Sequence, residues 1–375
     1  MSPNQMNNFH QHLAACLRTA PTPLPSVTIG FDGFVDEMIS VVGERQTLTA
    51  FKAVPDIATF GGLITKAAGH SSLREIVVNA VHPGGCAVNM GDGLARLGVP
   101  VDAFATLGQP VHPAFAAIVA SFRSCHSWGK EPGRTLAFEF NDGKLMLSVV
   151  SQLADFTPDH VAAILAADGA YAAACASARV IALTDWTLYP HMTAVWRLLQ
   201  EKVYAPLTHR PAFFLDLVDP SGRSPGDILA MLDTLPVFAA TGPLTLGLNG
   251  NEANILARLL GLPESGDTPE SAQAQAQSLR AQLGIAEVVI HHLKSAAVAG
   301  VAETAALRGP YCAQPKKSTG AGDRFNAGYC LGLLLQLDAR SRLACACASS
   351  GFFVREARSA MLTELADFVL TLPEA

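Results

Sequence analysis

This chain of 375 residues is short of charge, and of positive charge most of all: 15% of its residues are charged, with 26 Lys and Arg against 32 Asp and Glu and a net charge of −6. No basic run exceeds Lys316-Lys317, which excludes a dedicated nucleic-acid-binding surface. Nor does any stretch approach the roughly 20 continuous apolar residues of a membrane span, so none is expected. Met1 to Pro25 lacks both the basic start and the apolar core of a signal peptide. The eight cysteines show no zinc-finger spacing, and Cys345 and Cys347, two apart on a helical pattern, point to different faces. They are expected as buried free thiols in a reducing cytosol, which makes a cytoplasmic protein the expectation.

Other signatures are missing too. There is no Walker A loop and no Gly-x-Ser-x-Gly elbow, and Gly91-Asp92-Gly93 lacks the third glycine of a dinucleotide fingerprint. His291 and His292 are adjacent, so they cannot form a helical His-x-x-x-His metal pair, and they read as surface or core histidines. Phe352 and Phe353 read as core in an acidic chain, not as a base-stacking platform.

What is present supports a large α/β protein. Half the residues are hydrophobic, enough for a sizeable core. The length fits one large domain with a small insertion as well as two domains. Ser26 to Gly30 reads as a short buried strand, and further strands are expected at Val101 to Leu107, Val180 to Thr184, Ala212 to Leu217 and Leu244 to Leu248. Helical patterns at Ala114 to Phe122, Pro158 to Ala178, Pro190 to Tyr204 and Pro225 to Leu235 alternate with them. Such alternation implies a parallel sheet covered on both faces, with ligands beyond the carboxyl ends of its strands. Asp36, Thr184-Asp185, Asp219 and Asn249 all fall at or just after those ends. One element breaks the rhythm: Asn141-Asp142-Gly143 between Arg134 to Phe140 and Lys144 to Val150 is a hairpin signature, expected as a lid or a dimerisation flap.

Near the C-terminus, Ser318-Thr319-Gly320-Ala321-Gly322-Asp323 opens an apolar helical stretch. Small residues at a helix N-terminus let backbone N–H groups approach an anion. A carboxylate in that turn would repel phosphate unless it takes a proton from an attacking hydroxyl; the structural alternative is an acid that merely suits the helix dipole. Asn249-Gly250-Asn251-Glu252 reads equally as a capping box and as a Mg²⁺-organising motif in which Glu252 acts through water. Val81-His82-Pro83-Gly84-Gly85-Cys86 leads into a helix with Asn89 in its first turns.

These motifs in this order resemble the ribokinase-like carbohydrate kinases, the PfkB family, from Ile29 to about Arg355. The resemblance implies a three-layer α/β/α fold with a mostly parallel central sheet. It further implies a single domain over 1–375, with a small β lid inserted from segments within about 37–82 and 132–150. It implies a kinase that phosphorylates a hydroxyl of a sugar or polyol, with a nucleoside kinase or a catalytically silent sensor of the same fold as alternatives. Asp323 matches the catalytic base, and Gly320, Ala321 and Gly322 match the anion hole. Asp36, Gly84, Gly85 and Asn89 match the acceptor site, with Asp32 a further candidate from the same turn. Asn249 and Glu252 match the motif for Mg²⁺ and nucleotide phosphates, and the helix from about Arg342 to Arg355 resembles one lining an adenine pocket. ATP, Mg²⁺ and a monovalent cation are the implied cofactors, and a lid-mediated homodimer is an implied assembly.

Two departures concern the donor. Lys317, Ser318 and Thr319 stand where the family usually has Asp-Thr-x, which puts a cation near the phosphate path. His291-His292-Leu293-Lys294 replaces a glycine-containing segment. ADP-dependent sugar kinases share this fold and its Gly30 to Asp36 spacing, which keeps ADP open beside ATP.

Overall fold

The structure is a computed structural model that describes residues 3–373; the first two and last two residues of the expected 1–375 domain lie outside it. Fourteen strands occur among the described residues: β1 (Val27–Phe31), β2 (Phe34–Arg45), β3 (Phe51–Ala53), β4 (Ile76–Gly84), β5 (Val101–Ala105), β6 (Ser124–Ser127), β7 (Gly133–Phe140), β8 (Gly143–Val149), β9 (Val180–Thr184), β10 (Ala212–Asp216), β11 (Leu244–Asn249), β12 (Glu287–His291), β13 (Ser295–Gly300) and β14 (Thr304–Arg308). Nine of them form one sheet in the order β14-β13-β12-β11-β10-β9-β1-β5-β6. The pairs from β6 to β12 are parallel, and β13 and β14 add an antiparallel edge.

β1, β5 and β9 are buried at every position, as their continuous apolar runs require of strands covered on both faces. One hydrophobic cluster joins this sheet to the helices Cys86–Arg96, Ala321–Leu334 and Ala339–Glu356. A second fills the opposite face under Met192–Leu199, Pro225–Leu232 and Pro269–Leu283. The result is three layers. Their registry aligns the carboxyl ends of the central strands: Asp216 lies beside Thr184, and Asn249 beside His291.

A second sheet has β2 at its centre, with β7 and then β8 on one side and β3 and β4 on the other. The hairpin forms as read, joined by Asn141 and Asp142, and the Asp142 carboxylate also accepts the N–H of Ile57 at 3.1 Å. β4 was not assigned from the sequence; it opens on the apolar run Ile76-Val77-Val78, but most of its residues are exposed and its pairing to β2 defines it. Ile76, Val78, Val81, Met146, Leu147 and Val149 of this sheet are exposed.

Several helices are shorter than their apolar patterns. Pro158 to Ala178 is two helices, Pro158–Ala167 and Ala170–Ser177, because Asp168 turns outward and caps the second through the Ala170 N–H at 2.8 Å. The pattern at Pro225 splits into Pro225–Leu232 and Leu235–Thr241. Met192–Leu199 continues as a π turn, Gln200–Tyr204. Only Ala116–Val119 of the Ala114 to Phe122 pattern is α-helical, after a 3₁₀ turn at Pro113–Phe115. No single helix among the described residues is long and apolar enough to cross a membrane.

Candidate active site

The helix Ala321–Leu334 begins on Gly320, whose φ of 88° lies in the left-handed region and which supplies no side-chain cap. Only glycine takes that conformation without strain. The Ala321 N–H is bonded to the Ser318 carbonyl at 3.0 Å, so Ala321 contributes smallness and not a donor, a correction to its place in the expected anion hole. The N–H groups of Gly322 and Asp323 have no acceptor among the described residues. Two free N–H donors at the positive end of a helix dipole are an arrangement that can receive an anion.

Several side chains meet beside Gly320. A Cβ placed there would stand 2.7 Å from Arg324 Nη1 and 3.6 Å from both Asn89 Nδ2 and Asp323 Oδ2. Asp323 is 8% exposed. Burial, joined by the charges of Asp216 and Asp32, lifts its carboxyl to about 7, while Arg324 and a hydrogen bond from the Cys86 thiol pull it down. A carboxylate poised near neutrality is suited to accept a proton.

The acceptor side is built where β4 turns into the helix Cys86–Arg96. Gly85 takes φ 97°, and a Cβ there would lie 2.9 Å from Asp32 Oδ2 and from Gly33 Cα. Asp32 is fully buried. It accepts the N–H groups of Cys86 and Ala87 and the Thr184 hydroxyl, the last at 2.6 Å. Asp32 therefore caps the helix Cys86–Arg96, with Oδ1 taking two of these bonds and Oδ2 one. Asp36, half-buried on β2, faces the cleft edge above Gly84; burial raises its pKa, opposed by the Thr135 hydroxyl and the Lys317 charge. Lys317 is thus within reach of Asp36, Lys144 and Asp92, between the second sheet and the anion site. Ser318 lines the donor cleft, with Lys317 outside its lining, and Thr319 precedes Gly320 in the connecting turn.

On the donor side a cleft of about 680 Å³ runs from Asn249 and Gly250 past His291 and Gly322 to Tyr311 and Val354. The helix Ala339–Glu356 lines it through Cys347, Ser350, Gly351 and Val354. Asn249 and Glu252 form a complete capping box for Gly250–Leu259, with the Glu252 carboxylate accepting the Asn249 N–H at 2.8 Å and its amide at 2.6 Å. Burial raises the Glu252 pKa well above the usual range, and the charges of Asp216, Asp219 and Asp323 add to it. An all-oxygen acidic set with so little countercharge suits a hydrated Mg²⁺. Among the described residues no group of three or more His, Cys, Asp or Glu is placed to hold a metal.

Comparison with known proteins decides the family. The sequence model of prokaryotic ketohexokinases matches residues 6–371. The chain belongs to the prokaryotic ketohexokinase family. A ketohexokinase from Haloferax volcanii is 28% identical over 345 residues, covering 91% of this chain and 90% of the relative. Among solved structures, ribokinase of Arabidopsis thaliana, complexed with ribose and ATP, superposes with a TM-score of 0.62 at 16% identity over 93% of this chain and 99% of its own. A protein of Escherichia coli described as a ribokinase II, in complex with ATP and Mg²⁺, gives 0.59 at 18% identity over 93% and 100%. The ribokinase-like fold read from the motifs is therefore correct, and the ketohexokinase-family chain is a carbohydrate kinase, a phosphotransferase with an alcohol group as acceptor.

In this ketohexokinase-family chain the fold brings Asp323, Gly320, Asn89, Gly84 and Gly85 to one region, while Asn249, Gly322 and Ser318 line the adjoining cleft and Glu252 caps the helix behind it. Three contributors were not legible. Cys86 was grouped with the buried free thiols, yet it lies beside Asp323, and burial with four nearby carboxylates pushes its own pKa well up. His291 read as structural, yet it lines the cleft, lies tilted against Phe325 with ring centroids 4.7 Å apart, and is pushed down to about 4 by burial and His292. Asp219 was the carboxylate singled out beyond this strand, but Asp216, half-buried at the end of β10, accepts the Asn326 amide at 2.5 Å. The end of β10 fell one residue earlier than its apolar pattern suggested, and that was the signal available.

Proposed function

We propose that this chain transfers the γ-phosphoryl group of ATP to a hydroxyl of a ketohexose, with Asp323 as the base and the Gly322 and Asp323 N–H groups as the anion hole. One observation carries the reading: a carboxylate lifted to about 7 stands in the same helical turn as two unpartnered N–H donors. A pure binder has no use for a base there. The ketohexose rests on the name of the Haloferax volcanii relative; ATP and Mg²⁺ rest on the ligands of the two structural neighbours.

Asn89, Asp36 and the Gly84-Gly85 backbone hold acceptor hydroxyls over Asp323. The carboxylate takes the hydroxyl proton as the oxygen bonds to phosphorus, and the bond from phosphorus to the bridging oxygen breaks to leave ADP. Charge on the transferring group is met by the two N–H donors, already oriented before reaction. Lys317 lies near Asp36 on the acceptor side and contributes positive charge from there, not from the nucleotide cleft. Glu252 would hold Mg²⁺ through water, and the ion would supply countercharge for the nucleotide phosphates. His291 and the helix Ala339–Glu356 wall the nucleotide cleft. The second sheet acts as the lid that excludes water, and its exposed apolar residues form a dimer face, tested by the oligomeric state of Val78→Lys. The protein works in the cytoplasm.

The test is nucleotide turnover by purified protein with Mg²⁺, with and without K⁺, offering ATP and ADP separately against ketohexoses, aldoses, ribose and nucleosides. Acceptor-dependent ADP release from ATP with a ketohexose is expected. Turnover only with a nucleoside, or only with ADP as donor, would reassign acceptor or donor. Sugar binding by thermal shift without turnover would replace the kinase with a sensor.

A further inference from the structure

Arg324 directly follows Asp323, and a long cation at that place in a helix packed on all sides calls for a cause. Its side chain is 6% exposed. Nη2 donates to Asp92 Oδ2 at 2.8 Å and Nε to Ser359 Oγ at 3.1 Å, while Ser359 Oγ donates to the same Asp92 oxygen at 2.5 Å. Nη1 lies 3.5 Å from the Gly320 carbonyl, and the guanidinium sits 4.5 Å over the Phe353 ring. Arginine is thereby held on three edges and one face.

The partner is what gives this arrangement a function. Asp92 lies three residues after Asn89 on the helix Cys86–Arg96, so the two share a face. That helix and Ala321–Leu334 approach closely at Gly93, where a Cβ would stand 2.8 Å from the Ala327 Cβ. Buried ion pairs add little net stability, because desolvation offsets their attraction; their best-attested use is to fix registry. Here the pair bridges the helix that carries the acceptor contact and the helix that carries the base.

We infer that Arg324 is a positioning residue which, with Asp92 and Ser359, fixes Asn89 and the Gly320 turn relative to Asp323. The inference rests on the kinase reading given above. It has an electrostatic side as well. Asp323 faces Arg324 on its own helix, Asp216 from β10, Asp32 from beyond β1 and the Cys86 thiol from the acceptor-side helix, and it lies within reach of Glu252. Of these charges only Arg324 is positive, so its removal raises the Asp323 pKa.

The experiment compares wild type with Arg324→Gln, Arg324→Lys and Ser359→Ala in steady-state phosphorylation over a pH series, with thermal unfolding to establish folding. Arg324→Gln is expected to lose about 100-fold in kcat, the scale of a misplacement of about 1 Å, and to move the acid limb to higher pH. Arg324→Lys keeps the charge but cannot form the fork, so its acid limb stays and its kcat remains low. Ser359→Ala removes one hydrogen-bonding arm and should cost about fivefold in kcat, the worth of about 1 kcal/mol. It also carries the test if Arg324→Gln does not fold. A folded Arg324→Gln with wild-type kcat and an unmoved acid limb overturns the inference and leaves the kinase intact. An inactive wild type overturns the kinase reading and this inference with it.

Discussion

The Asp32 carboxylate accepts the Ala87 N–H at 2.8 Å, so the first acid beyond β1 holds the start of the acceptor-side helix in place. With the Cys86 N–H and the Thr184 hydroxyl on the same group, it joins β1, β9 and that helix at one point. The segment Gly84-Gly85 depends on this cap for its shape.

Asp32→Ala should therefore act on stability. Loss of an N-cap costs about 1 to 2 kcal/mol, and the buried N–H groups left behind add to that. Thermal or urea unfolding checks it. An acceptor KM raised with unchanged stability would return Asp32 to the ligand-contacting set.

Asp323→Asn should abolish turnover while leaving acceptor and nucleotide binding intact, because the amide keeps the shape and cannot take a proton. Residual activity above a few per cent of wild type, about 2 kcal/mol of barrier, would remove Asp323 as the base. Isothermal titration with the acceptor checks that the site survives.

The pH profile has a definite sign. Asp323 is pushed up to about 7 and must be ionised to act, so kcat/KM should rise with pH through that value and level off above it. A profile flat between about pH 5.5 and 8 would contradict a base of that pKa.

His291 should matter for the donor and not for the acceptor. Its ring lies beside Gly322, tilted against Phe325, in the wall of the cleft, and its low pKa keeps it neutral. His291→Ala is expected to raise KM for ATP about tenfold, the worth of about 1.4 kcal/mol, with acceptor KM unchanged. Equal effects on both substrates would mean that the histidine supports the whole site.

Local features were legible because they depend on near neighbours. The capping box of Asn249 and Glu252, the hairpin around Asn141 and Asp142, and the glycine-rich opening before Asp323 each lie within a few residues, and each formed as read. The strands of the large sheet showed as apolar runs because both faces are covered. β2 and β4 carry apolar residues too, such as Ile76-Val77-Val78, but β4 is mostly exposed and only the pairing of the two strands defines them.

By itself the sequence determined the groups available: a carboxylate at the start of a glycine-opened helix, a glycine pair entering a second helix, and the alternation that lays down a parallel sheet. Only the tertiary structure decided which carboxylate turns inward, that Arg324 meets Asp92 across 232 residues of chain, and that Cys86 and His291 reach the site. The reason is physical. Periodicity states which face of an element a side chain occupies, whereas contacts between the ends of different strands depend on register, crossing angle and close approach at glycines such as Gly85 and Gly93, which arise only when the layers pack.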